Sequence, residues 1–331
     1  MIRLLFLSLF SLTIMSSCHN RAAKLAHTAL SIDNNIQVPL FNADSAFHFI
    51  KVQTDFGPRV PNTAAHKTCA EYLTAKLISF GAETVVQEIE VKTFDNTIIK
   101  GYNIIGQFNS NSNKRVMICA HWDSRPWADN DPDPLNHHKP VDGANDGASG
   151  VGVILEIARL ISTLSPKIGV DCIFFDAEDW GPGDDYQGDS KMEYWGLGAQ
   201  YWSRNPHKEG YNANYAILLD MVGGESATFY REGFSRHYAP NVVKNIWDTA
   251  LSLGYGQFFL QEDGGYVTDD HYFINTIAKI PAIDIIPYHP ECSISSFGPT
   301  WHTLSDNIKN IDKSTLKAVG QTLLNVLYNE K

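Results

Sequence analysis

The chain has 331 residues, of which 44% are hydrophobic, 11% aromatic and 19% charged. That is an ordinary globular composition; at about 150 residues per domain it allows two domains at most, and it needs no disulfides to fold. The 37 acidic and 26 basic side chains leave a formal charge of −11, which argues against a nucleic-acid partner bound by phosphate neutralisation, and the single long apolar stretch lies at the extreme N-terminus, so a multi-span membrane protein is excluded.

In chain order, Arg3 is followed by an apolar run over 4–14, too short for a bilayer that takes about 20 residues but right for a secretory signal. The run ends in Met15-Ser16-Ser17-Cys18, which resembles a bacterial lipobox and implies a lipidated Cys18. The expected organisation is a lipoprotein signal peptide over 1–17, a spacer over 18–40 and one folded domain over 41–331. The expected location is exported, lipid-anchored to the envelope of a Gram-negative bacterium and facing the periplasm.

Helical spacing runs over 45–54. Asn62 or Thr63 reads as the N-cap of a second helix that ends at Phe80, with Gly81 as its stop. Residues 84–91 and 98–108 read as strands, a hairpin turning through Asp95-Asn96. Short apolar strands are expected over 115–120, 170–175, 215–219 and 282–286, and helices over 150–164, 241–253 and 312–328. Strands alternate with helices from about residue 115, without internal repeats. The class is therefore α/β: a single domain with a central mixed, mostly parallel twisted sheet and helices on both faces. Cys69, Cys119, Cys172 and Cys292 form no CxxC pair and read as free thiols.

In such a sheet, ligands bind at the carboxyl ends of the strands, and here those ends carry chemistry. His121-Trp122-Asp123 follows the strand over 115–120. Gly143-Ala144-Asn145-Asp146 precedes the helix over 150–164. Asp176-Ala177-Glu178-Asp179 follows the strand over 170–175, Asp220 follows 215–219, and Trp301-His302 follows 282–286 across a loop. One strand-end Asp is usually a helix cap; five such positions in one sheet read as one site. Histidine with carboxylates suits Zn²⁺, and ligands this far apart in sequence suit a catalytic metal with an open position rather than a structural one. No GxSxG elbow, HExxH, P-loop or GxGxxG is present. His137-His138 reads as a solvated loop. Asp184, Asp185 and Asp189 carry the oxygen donors that calcium takes, though a solvated acidic loop is the plainer reading.

Taken together and in this order, these motifs, with Leu218-Leu219-Asp220-Met221-Val222-Gly223 and Trp301-His302-Thr303, resemble the zinc aminopeptidase superfamily (family M28) over residues 45–331. Within it the chain is most similar to the glutaminyl-peptide cyclotransferases of animals and their relatives in Bacteroidetes. The resemblance implies one zinc per chain, held by Asp146, Asp179 and His302. It implies Glu178 as proton shuttle, Asp220 and Asp269 as acids that hold the substrate amine, and Trp301 and Trp195 as pocket walls. The implied reaction, on peptides or proteins with N-terminal Gln, is cyclisation to pyroglutamate with loss of ammonia. Asp179 departs from the animal pattern, which has Glu there, and no second Cys stands near Cys119 to make the animal disulfide.

A two-zinc aminopeptidase is the alternative, because His121, Asp146 and Asp220 could hold a second metal with Asp146 bridging. Thr268-Asp269-Asp270-His271 favours the cyclase: aminopeptidases of the superfamily usually show Ser-Asp-His there, and the added Asp269 would hydrogen-bond Asp220 and draw it away from metal.

Overall fold

The computed structural model describes residues 37–183, 186–188 and 190–330. The signal segment, Cys18, and the Asp184, Asp185 and Asp189 group lie outside the described residues. From Gln37 onward the chain forms one compact unit. No described helix is long and apolar enough to cross a membrane.

Two helices open the fold, α1 Ala43–Asp55 and α2 Ala64–Ser79. The α2 cap is Thr63, whose side chain accepts the His66 N–H. Strands β1 Glu83–Lys92 and β2 Ile98–Phe108 form the expected antiparallel hairpin, with Asn96 in the left-handed region at its turn. Then come β3 Arg115–His121, α3 Ala148–Thr163, β4 Gly169–Phe175, α4 Leu197–Arg204 and β5 Tyr215–Leu219. The remainder comprises β6 Phe229–Arg231, α5 Gly233–Tyr238, α6 Pro240–Ser252, β7 Phe259–Asp263, α7 Asp270–Phe273, β8 Ala282–Ile285 and α8 Lys313–Asn329.

Six strands make one sheet in the order β1-β2-β4-β3-β5-β8. The β4-β3, β3-β5 and β5-β8 pairs are parallel, and the hairpin joins antiparallel at β2-β4. The strands β3, β4, β5 and β8 are buried at every position, the pattern of a parallel sheet covered on both faces. Met117, Cys119, Ile173, Phe175 and Leu218 pack on Ala199 and Trp202 of α4. The alternate residues face α3, where Gly150 lies against Ala120 and the Leu219 carbonyl. Cys69, Cys119 and Cys172 are buried free thiols, and Cys292 is a partly exposed one.

Sequence periodicity missed the small elements α4, α5, α7, β6 and β7. Helices this short are unstable alone and form only where packing holds them, so their sequences need no strong period. The β6-β7 pair forms a second, two-stranded sheet.

This topology sets the site. The chain leaves β3 through α3 to reach β4 on one side, then passes through α4 to β5 on the other side of β3. The strand order reverses at β3, and a crevice opens outside its carboxyl end.

Candidate metal centre and active site

Three neighbouring strands deliver their next residues to that crevice: His121 ends β3, Glu178 and Asp179 follow β4, and Asp220 follows β5. Asp146 enters from the turn before α3. That turn needs Gly147, which sits at φ +39 and would place a Cβ 2.6 Å from the His121 carbonyl oxygen. Ala177, Met221 and His302 also hold positive φ, at 54°, 50° and 55°. Each such residue costs about 1–3 kcal/mol and persists only when its surroundings over-determine it. All three abut the crevice: Ala177 precedes Glu178, Met221 follows Asp220, and His302 is itself one of the residues expected to bind metal.

Asp146, Asp179 and His302 are all buried and bring one donor atom each within 4.8 Å of the others. His302 Nε2 lies 3.2 Å from Asp179 Oδ1 and 3.8 Å from Asp146 Oδ2. Neither oxygen of Asp179 has a hydrogen-bond partner, although a buried carboxylate normally collects several. Burial and the Asp146 charge push Asp179 upward, partly opposed by His302 and Arg125. Two carboxylates and an imidazole whose donor atoms converge this closely suit a divalent cation, so these residues fit the expected metal. His302 is oriented from behind by Asp129, 3.3 Å from Nδ1, and Asp129 is held in turn by Arg125 through both Nε and Nη2. A carboxylate behind a ligating imidazole is the usual support for a metal-bound histidine.

His121, Asp146 and Asp220 form a second group within the same 4.8 Å limit. His121 Nε2 lies 3.0 Å from Asp146 Oδ1 and 3.2 Å from Asp220 Oδ1. Burial disfavours charge on this imidazole, but the surrounding Asp123, Asp146 and Asp220 raise it well above its usual value. When protonated it can pair with both carboxylates; the same three donor atoms also converge closely enough to hold a metal.

A cavity of about 240 Å³ opens beside these groups, lined by Glu178, Asp220, Asp269, Trp195 and Trp301 among others. Trp301 stacks on the His302 ring at 3.6 Å between centroids, and Trp195 lies nearly parallel to it at 6.3 Å. Burial, followed by the Asp269 charge, pushes Glu178 well above the normal carboxylate range. Burial also lifts Asp220, to about 8. Asp269 lines the cavity together with Asp220, and its charge is one of the causes that raise Asp220. Asp269 caps α7 through Oδ1, which accepts the Asp270 N–H at 2.5 Å, and its Oδ2 has no partner.

His137 bonds the Asp131 carbonyl and His138 is exposed, so neither joins the metal group. Trp122 is core: it stacks on His66 at 4.4 Å and donates to the Tyr102 carbonyl.

Sequence reading missed the carboxylates that hold these loops. Asp306 accepts the N–H groups of Asn145 and Asp146. Asp123, expected only near His121, lies 3.4 Å from its Nδ1 and also accepts the N–H groups of Glu178 and Asp179. A lone Asp in a loop carries no periodic signal, and its partners are distant in sequence.

Glu232, under α7, accepts from the Phe234, Ser235 and Val267 N–H groups, the Ser235 hydroxyl and His271 Nε2. Burial alone would raise it; these bonds outweigh burial and hold it at about 2. Its stabilisation is therefore present above the unfolded value of about 4.3 and lost as pH falls toward 2. The parent should exceed Glu232→Gln in stability at pH 6 by roughly 2–3 kcal/mol, and that margin should vanish near pH 2. Urea midpoints across this range check it; a margin independent of pH refutes the linkage.

Comparison with known proteins gives a consistent picture. The model of Peptidase family M28 matches residues 103–327. The crystal structure of Bacteroides thetaiotaomicron glutaminyl cyclase bound to N-acetylhistamine is 56% identical, covers 89% of this chain and 100% of that one, and superposes with a TM-score of 0.87. That of a leucine aminopeptidase precursor from Bacteroides thetaiotaomicron is 55% identical over 89% of this chain and 100% of its own, with a TM-score of 0.86. Glutaminyl-peptide cyclotransferase of Gloydius blomhoffii is 26% identical over 308 residues, 82% of this chain and 78% of that protein.

Proposed function

The chain belongs to peptidase family M28, and from that premise we propose that it is a glutaminyl-peptide cyclotransferase, converting N-terminal glutamine of peptides and proteins to pyroglutamate with release of ammonia. The observation that carries this reading is the cavity: three buried carboxyls, Glu178, Asp220 and Asp269, and two tryptophans face one small space beside the Asp146, Asp179 and His302 group. Its volume of about 240 Å³ suits one side chain with its amine.

Zinc is the metal this reading assigns to Asp146, Asp179 and His302, one per chain; bound there it supplies Lewis-acid polarisation of the γ-carboxamide. The protein residues do the rest. Asp220 and Asp269 accept hydrogen bonds from the α-amine and orient its lone pair toward the carboxamide carbonyl carbon. Trp195 and Trp301 bracket the glutaminyl stem and limit water. Attack forms the bond from the α-nitrogen to the carbonyl carbon (Cδ) of the side-chain carboxamide. Glu178 takes the proton that the nitrogen sheds and returns it to the departing amide nitrogen, which leaves as ammonia when its bond to carbon breaks. A carboxyl lifted toward neutrality can both accept and return that proton. Because the reaction is intramolecular, holding the amine against the carbonyl supplies much of the remaining rate.

The His121, Asp146 and Asp220 group keeps a second reading in view, a two-metal aminopeptidase. One experiment separates the two. The purified chain from residue 19 is expected to retain close to one zinc, release ammonia from Gln-initiated peptides and leave Leu-initiated substrates intact. Close to two zincs with Leu release would overturn the cyclase. The lipid anchor at Cys18 and the envelope location rest on residues 3–18 alone, and with them the suggestion that substrates are exported proteins whose signal cleavage exposes Gln.

A further inference from the structure

We propose that Asp123 and Asp306 are positioning residues, a pair of two-pronged backbone clamps that set the bite of the metal group before metal arrives; the proposal rests on the metal reading above. Each carboxylate spends both oxygens on two successive N–H groups of a ligand-bearing turn. Asp306 takes Asn145 N–H at 2.7 Å on Oδ1 and Asp146 N–H at 3.1 Å on Oδ2. Asp123 takes Glu178 N–H on Oδ1 and Asp179 N–H on Oδ2, both at 3.1 Å. Both carboxylates are essentially inaccessible to solvent, at 1% and 0% exposure.

The turns they grip need such support. Residues 145–146 and 178–179 lie outside any strand or helix, next to left-handed Gly147 and Ala177. Their N–H groups have no ladder partner, and leaving a buried N–H unpaired costs as much as a lost hydrogen bond. The clamps also bridge segments. Asp306 lies four residues after His302, and its own carbonyl accepts the Ala144 N–H at 3.4 Å, so one residue ties the His302 loop to the Asp146 turn. Asp123 ties the end of β3 to the turn after β4. Asp146, Asp179 and His302 come from three separate segments, and these two carboxylates fix the distances that backbone connectivity does not.

Asparagine is nearly isosteric with aspartate but points an NH₂ donor at one of the two N–H donors. Chelator competition on the full chain should show Asp306→Asn and Asp123→Asn each binding zinc about 10–100-fold more weakly, the usual loss for an outer partner of a metal site. The rise in melting temperature on adding zinc should shrink with it. A merely structural role predicts otherwise: zinc affinity within twofold of the parent, with metal-free and metal-loaded melting temperatures lowered equally. That result overturns the proposal while leaving the metal reading intact. A parent chain that takes up no zinc overturns both. Should one variant fail to fold, the other decides alone.

Discussion

Glu178→Gln is expected to lower kcat by about 10²–10⁴-fold, the range for loss of a positioned acid–base group, with zinc content and KM nearly unchanged. The substitution keeps size and shape. It leaves the Glu178 N–H bonded to Asp123, and Glu178 is not among the residues whose donor atoms converge on the metal position. What it removes is the capacity to hold a proton between two nitrogens, an interaction realised only in the transition state, so the loss falls on kcat. A neutral amide also suits a site that already pushes this group well above the usual carboxylate range, through burial first and Asp269 second, so the melting temperature should stay close to the parent's. Steady-state kinetics with a Gln-initiated peptide, with zinc counted on the same sample, decide the matter. A kcat within threefold of the parent would remove Glu178 from the mechanism.

Asp179→Asn should move metal affinity and metal-free stability in opposite directions. Zinc binding is expected to weaken by more than about 100-fold, beyond the loss typical of outer partners, because an anionic oxygen donor is gone. The metal-free protein should be no less stable than the metal-free parent. There Asp179 is buried beside Asp146, and burial and that neighbouring charge outweigh its contacts with His302 and Arg125; a buried charge under-compensated in this way is costly. A neutral amide relieves that repulsion, and its NH₂ can donate to Asp146 or to a carbonyl. Calorimetric melts with and without zinc read both quantities at once. Retained zinc together with a lowered metal-free melting temperature would show that Asp179 serves the core rather than the metal.

How these two residues could be found at all depends on what the chain displays locally. The strands β3, β4, β5 and β8 were legible because a strand covered on both faces must be apolar throughout, and a polar residue directly after such a run is conspicuous. Glu178, Asp179 and Asp220 stood out in that way, and Asp146 by its place in the Gly-rich turn before α3. The caps at Thr63 and Asp312 were legible because a helix start leaves N–H groups that only a few side chains can satisfy. The short α4 and the β6-β7 pair were not, since tertiary packing rather than local preference stabilises them.

Amino-acid order alone thus determined the class of fold, the alternation that places the carboxyl ends of the parallel strands on one rim, and the residue types that reach that rim. Tertiary structure decided which of those residues meet. His121 Nε2 stands between Asp146 and Asp220, at 3.0 and 3.2 Å from their oxygens. Asp269 caps α7 through one oxygen, because the first N–H of that helix lies within its reach, and lines the cavity beside Asp220. Arg125 and Asp129 stand behind His302, and Asp123 and Asp306 grip turns whose N–H groups no strand satisfies. Local preferences act over a few residues and leave a pattern in the chain. Hydrogen bonds between loops up to 173 residues apart leave none, because only the folded topology sets those distances.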